Sequence, residues 1–297
     1  MAENPFDPSH LFGHVQDAEH FEVPRLLARD GKIEIPQPIT LEHPIVERHG
    51  IVEPLDLRLT KFMVLEVVVA ILLSVIFIRL ASRASREHRP RGKGWNLFEG
   101  MLVFIRDQVA RPSIAHDPHH YHEADKFLPF LWTMFFFVLA CNLFGLLPWL
   151  GSATGSLATT GALAIITFLT VVGAGMAKMG PVGFWIGQVP HMELPPVMAV
   201  LLKPMVFVIE VMGLLIRHFV LAVRLLANMM AGHLVLAVIV AFISAAAKGW
   251  IVWTSVTFFS VLGATALSLL ELFVAFLQAY IFTFLSALFI GMATHEH

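Results

Sequence analysis

The sequence is short of cysteine, tyrosine and charge. Its 297 residues hold one Cys and two Tyr, and only 14% of them are Asp, Glu, Lys or Arg. One thiol cannot form an intramolecular disulfide, and Cys141 lies inside an apolar run, where a small packing residue is the simplest reading. A formal net charge of −2 offers no basic excess to hold phosphates, so no nucleic-acid role is expected. That value averages an acidic, His-rich amino-terminal region with a basic patch near residue 85. No apolar run begins within the first fifty residues, so no cleavable leader is expected and the first hydrophobic segment should serve as the insertion signal. The polar/apolar alternation of a membrane barrel is missing too, which leaves helices as the way to cross a bilayer.

What is present is hydrophobicity. Hydrophobic residues make up 57% of the chain and mean hydropathy is +0.74, outside the soluble range. The predicted fold is an all-α integral membrane protein with about five membrane helices, over residues 62–78, 127–147, 156–176, 197–247 and 251–292. Residues 1–57, rich in Pro, His and acidic side chains, read as an extramembrane, partly ordered extension with short apolar fragments at Ile33 to Pro36 and Pro44 to Glu47; residues 58–297 form the membrane domain. Arg79, Arg83, Arg86, Arg89, Arg91 and Lys93 follow the first span, which puts that end in the cytoplasm and the amino terminus outside.

Several polar features along the way have plain readings. Glu66, near the outer end of the first span, reads as an interfacial carboxylate in preference to a member of an ion path. Trp95 to Val109 repeats apolar residues at helical spacing beside Glu99, Arg106 and Asp107, and is expected to lie as an amphipathic helix on the cytoplasmic face. The loop His116 to His122 matches no standard metal spacing and reads as solvated, with Pro118 fixing a turn. Ser156, Thr159, Thr160, Thr167 and Thr170 of the third span are expected to bond their own helix carbonyls. Gly180 to Gly183 and Val189 to Pro196 break the pattern as a cytoplasmic re-entry region. The last two apolar segments far exceed the roughly 20 residues a bilayer needs, so they are expected to form a strongly tilted antiparallel hairpin turning at Lys248-Gly249-Trp250.

The stretch Val220 to His233 sets a guanidinium, a carboxamide and an imidazole inside this hydrophobic run. At about 100° per residue, Arg224 shares a face with Arg217, Asn228, Ala231 and Val235, while His233 points the opposite way. A guanidinium is a fixed charge; an imidazole takes up and releases protons near neutral pH. In an antiparallel hairpin, Arg224 falls near the depth of Gln278, and His233 near that of Glu271. A neighbouring carboxyl and imidazole can hold and exchange one proton, or simply lock two helices together.

These residues, Val223 to His233 followed by Glu271 to Thr283, strongly resemble subunit a of F-type ATP synthases, the stator half of a membrane proton channel. The resemblance covers about residues 60–292, including Asn142 to Pro148 and Glu210, and leaves residues 1–57 outside. It implies that Arg224 faces a rotating ring of subunit c, whose carboxylates carry one ion each. It further implies that His233 and Glu271, with Asn142 nearby, serve an outer half-channel, that Glu210 with Asn228 serves an inner one, and that Gln278 accompanies the arginine. The implied partners are the c-ring, subunit b of the peripheral stalk, the other ATP synthase subunits and the lipid bilayer. The implied location is a bacterial inner membrane; the subunit does no covalent chemistry and needs no cofactor. Two positions depart from the family pattern: Gly145 stands where some members have an aspartate, and Arg217-His218 where Lys-Pro is frequent.

Two other classes compete. A secondary transporter would also bury charge at mid-membrane, but it predicts an internal repeat, and the two long segments share no polar pattern. A membrane metal enzyme needs a ligand set, and the histidines within the spans are few and scattered.

Overall fold

A computed structural model describes residues 17–18, 20–22, 32–37, 59–84, 92–115, 119, 121–147, 150–189, 196–246 and 249–294. Five helices among these residues are long and apolar enough to cross a membrane. They are α1 (Lys61–Ala84), α5 (Leu128–Gly145), α6 (Leu157–Met179), α8 (Pro196–Ala245) and α9 (Trp250–Thr294). Between α1 and α5 lie α2 (Lys93–Phe104), α3 (Arg111–Ile114) and α4 (Tyr121–Asp125), and α7 (Pro181–Gly187) lies between α6 and α8. The expected all-α membrane architecture is thus present, with the expected spans displaced by a few residues at their ends. α1 runs furthest past its expected end, because Arg79 and Arg83 end the apolar stretch without breaking the helix.

The core is built around α5, whose Leu131, Met134, Phe135, Phe136 and Val138 are buried. Against it stand Ala279, Phe282, Ala287 and Ile290 of α9 and Leu163 and Val171 of α6. A helix so apolar on every side belongs in the middle of a bundle. Where α9 crosses α3, Gly291 makes room: a Cβ there would run into the Ser113 carbonyl.

The amphipathic stretch after α1 differs from expectation in one respect. It does not stop at Val109 but passes through a π-helical segment, Ile105–Ala110, into α3. The wider turn brings Ile105, Val109, Ala110 and Ile114 all onto the core, while Arg106 and Asp107 stay at the surface. There Arg106 pairs with Asp107 at 2.8 Å, and Arg111 pairs with Asp107 at 3.0 Å and with Asp125 at 3.1 Å. The hydrogen bond from Arg106 holds the Asp107 carboxyl below the usual carboxylate range. Lys178 bonds Glu123 at 2.9 Å, tying α6 to α4.

Within the expected re-entry region, Pro181–Gly187 forms the short helix α7. Gly180 turns the chain with φ of 79°, and Pro181 then opens α7 at a position where its missing N–H costs nothing. α7 folds back on α6 because Gly175 leaves space for the Phe184 ring, which any Cβ would strike. Residues 190–195 of the expected re-entry region, and 116–118 and 120 of the His-rich loop, lie outside the described residues, as do 85–91 of the basic cluster.

The described residues of the amino-terminal extension form a short ribbon against α1. β1 (His20–Glu22) pairs antiparallel with β2 (Lys32–Glu34), placing Phe21 opposite Ile33. The Asp17 carboxylate accepts the Phe62 N–H at 3.3 Å, and the Ala18 carbonyl accepts the Lys61 N–H at 2.8 Å. The Gln37 amide brackets Leu59, donating to its carbonyl and accepting its N–H, both at 2.9 Å. These bonds satisfy backbone groups that a helix start leaves open and fasten the extension to α1.

α8 has 50 residues and α9 has 45, so at 1.5 Å per residue each is roughly 70 Å long, against a hydrocarbon core of about 30 Å. A bilayer accommodates such helices at a steep tilt or with ends outside it. They run antiparallel: moving from His233 back to His218 on α8 moves from Glu271 forward to Phe289 on α9.

Candidate functional site

α8 has two unlike faces. Leu214, His218, Leu221, Ala222, Leu225 and Met229 are buried and recur three or four residues apart, the spacing of a stripe packed on neighbouring helices. On the face assigned to Arg224 by sequence, Arg217, Ala231 and Val235 are exposed, and Arg224 and Asn228 are half-buried. The other described residues therefore leave much of this face uncovered. Arg224 makes no hydrogen bond or ion pair among the described residues. Gln278, expected near its depth, is turned into the bundle at 6% exposure, and no hydrogen bond joins the two among those residues. Glu210 is half-buried further back on α8.

The hairpin register does bring His233 and Glu271 together. His233 Nδ1 lies 4.0 Å from Glu271 Oε1, and both side chains are largely withdrawn from the surface. Their approach depends on Gly232, because a Cβ at that position would strike the Glu271 carboxylate. A titratable pair thus sits on one side of α8 and a fixed charge on another.

Asn142 is completely buried. Its Nδ2 donates to the Ala275 carbonyl on α9 at 3.4 Å, and its Oδ1 accepts from Thr154 Oγ1 at 2.8 Å. Ser152 Oγ lies 2.9 Å from the same threonine hydroxyl. The amide therefore joins α5, the short 3-10 turn Ala153–Gly155 and α9, one turn from Glu271. The glycine at 145 belongs to this packing: a Cβ there would come within 2.7 Å of Ser152 Oγ and 2.8 Å of Met229 Cε. An aspartate has no room in this arrangement.

A family profile described as ATP synthase A chain matches residues 62–291, all of the bundle from α1 almost to the end of α9. The chain belongs to the ATP synthase A chain family. Among its relatives, ATP synthase subunit a of Myxococcus xanthus (strain DK1622) is 39% identical over 246 residues, covering 82% of this chain and 76% of the relative. ATP synthase subunit a of Chloroherpeton thalassium (strain ATCC 35110 / GB-78) is 39% identical over 247 residues, covering 81% and 68%. ATP synthase subunit a 2 of Chlorobaculum tepidum is 39% identical over 244 residues, covering 80% and 64%.

Two residues of this ATP synthase A chain family member have surroundings that sequence reasoning did not reach. His218 is 4% exposed and wedged between the Phe168 and Phe289 rings, at 5.3 and 5.1 Å. Its Nδ1 lies 2.8 Å from the Leu214 carbonyl, which can only accept, so Nδ1 carries the proton and Nε2 is left without a protein partner among the described residues. The available signal was its phase with Leu214, Leu221 and Leu225. Glu66 of α1 accepts a hydrogen bond from Thr159 Oγ1 of α6 at 2.6 Å, so it faces the bundle. Thr159 therefore departs from the expectation of self-bonded hydroxyls, which Thr160, Thr167 and Thr170 meet. No three His, Cys, Asp or Glu side chains among the described residues lie together as a metal site requires.

Proposed function

We propose that the chain is the stationary proton-conducting subunit of an ATP synthase membrane sector, and that its Arg224 face meets a rotating ring of subunit c. The observation that carries this reading is a cation that has no counter-charge among the described residues and stands on a helix face that those residues leave largely uncovered. An arginine at mid-membrane costs about 2.5–3.5 kcal/mol on insertion scales. It is retained where another component brings a carboxylate to it, and ring carboxylates passing in single file do so.

The cycle follows from two half-channels that never join. On the outer side, the His233 and Glu271 pair takes a proton and neutralises a ring carboxylate, which can then enter lipid; a bare carboxylate there costs several kcal/mol. After nearly a full turn the site releases its proton toward Glu210 and Asn228 on the inner side. Arg224 bars the shorter arc between the two, because a protonated site gains nothing from a guanidinium and a deprotonated one is held by it. Each charge crossing the membrane yields about 2.3 kcal/mol per 100 mV, so several crossings are coupled mechanically to one ATP. Asn142, with both ends of its amide bonded inside the bundle, supports this by clamping α9 beside Glu271, and Gln278 helps fix the same helix.

In this reading subunit b and the remaining ATP synthase subunits are partners, the membrane is a bacterial inner membrane, and the amino terminus lies outside with the carboxyl terminus in the cytoplasm. The basic residues after α1 support that orientation. The test is Arg224→Ala in the assembled complex. ATP-driven proton pumping into inverted vesicles is expected to disappear while the ring still co-purifies; normal pumping would remove the reading.

A further inference from the structure

We propose that Glu66 is a proton-collecting carboxylate at the mouth of the outer half-channel, feeding the His233 and Glu271 pair past the hydroxyl-bearing turn at Ala153–Gly155. The inference rests on the stator reading above and adds a residue from a helix that reading does not use. α1 starts at Lys61, so Glu66 lies about 7.5 Å along it, on the outer side in the proposed orientation. An ionisable group at that depth is expected to face the bundle or water, not lipid. It does: the next two residues, Val67 and Val68, are 58% and 46% exposed, while Glu66 is half-buried against α6.

Its surroundings lead inward. Phe62, Leu65 and Val69 of α1 pack on Cys141 and Ala153. Next to those two residues are Asn142 and Thr154, hydrogen-bonded to each other, with Ser152 bonded to Thr154. Asn142 reaches the Ala275 carbonyl, one turn from Glu271, and Ser152 and Met229 both crowd the space at Gly145, one turn before His233. The Cys141 and Ala153 cluster and the hydroxyl-bearing turn thus lie between α1 and the helices that carry the titratable pair.

The hydrogen bond from Thr159 suits a group that must change protonation without moving. Oε1 accepts that bond whether the carboxyl is ionised or neutral, and Oε2 makes no hydrogen bond among the described residues. A hydronium ion at the outer surface gives its proton to Oε2, forming an O–H bond and leaving water. That bond then breaks toward water on the bundle side, and the carboxylate is restored. A carboxylate at a low-dielectric mouth also concentrates cations.

The alternative is a purely structural bond between α1 and α6, and Glu66→Gln separates the two, since a glutamine oxygen still accepts from Thr159 but holds no proton. The whole complex is reconstituted in liposomes with the outer face lining the lumen, and ATP synthesis is driven by a potassium–valinomycin potential at equal pH. With sparse lumenal buffer the rate of Glu66→Gln is expected to fall about tenfold. Abundant small mobile buffer, which delivers protons in place of the lost group, is expected to restore it, and Glu66→Asp is expected to retain activity. An unchanged rate in sparse buffer overturns the proposal. So does a loss that buffer does not repair. Arg224→Ala is run alongside: synthesis by that variant would sink the stator reading itself, whereas a neutral Glu66→Gln sinks only this proposal.

Discussion

Two arginine neighbourhoods in this molecule make a useful contrast. Around the π-helical segment, Arg106 and Arg111 are paired with Asp107 and Asp125, and Arg111 also lies 4.9 Å over the Tyr121 ring. On α8, Arg224 has an apolar surface about it and no carboxylate among the described residues. Charges that hold this chain together are satisfied within it. Arg224 is left open on its helix face, and in the proposed reading a second molecule completes it; that difference would separate a fastening from a working part.

The largest expected effect comes from removing the open charge, since Arg224→Ala should abolish pumping. Arg224→Lys sharpens the point: an ammonium is a hydrated point charge that loses its proton when desolvated, so most coupled pumping should still be lost. Gly232→Val drives a side chain into the Glu271 carboxylate. A misplacement of about 1 Å at a reacting group can cost on the order of 10²-fold, and pumping should fall accordingly with the ring still bound. A wild-type rate would show that the 4.0 Å pair is incidental.

Asn142→Leu should act on stability before function. It takes away the acceptor of the Thr154 hydroxyl, leaving that hydroxyl its contact with Ser152, and removes a tie to α9, a loss of about 1–3 kcal/mol for the two bonds readable as earlier thermal loss of the detergent-solubilised complex. The smallest effect belongs to the paired cluster: Arg111→Ala should lower thermal stability slightly and leave pumping alone. If it stopped pumping with assembly intact, the contrast would collapse. The same cluster has a predictable pH response. Because Asp107 is held below the usual range by Arg106, its contribution is fully present above the unfolded value of about 3.9. It is lost as pH falls through the lower folded value, so this cluster should add no pH dependence to thermal stability between pH 5 and 8.

Much of the fold was legible because membrane helices announce themselves by the length of their apolar runs, and α5, α6, α8 and α9 begin and end within a few residues of those runs. α7 was hidden because Gly180-Pro181 reads equally as a helix stop and as a helix start, and the Phe184 contact that decides it lies across the turn. The π-helical segment was hidden because widening by one residue re-phases the apolar positions without changing which residues are apolar. In the site, His233 and Glu271 could be matched from register alone, since an antiparallel hairpin fixes which positions meet. Asn142 could not: its partner on α9 is 133 residues away, and nothing local distinguishes an amide that bonds a neighbouring helix from one that bonds its own turn. The partner of Glu66 was hidden for the same reason. The hydrogen bond to Thr159 spans 93 residues.

The 4.0 Å gap between His233 and Glu271 sets a timing rule. Direct proton hops need heavy atoms within about 2.6–3.2 Å, so no proton passes straight from one side chain to the other at this separation. A modest swing about a side-chain bond closes the distance, within the space that two side chains largely withdrawn from the surface leave each other. In the proposed cycle the crossing at this pair is therefore a toggle, closed only while one side chain leans toward the other or a water bridges them.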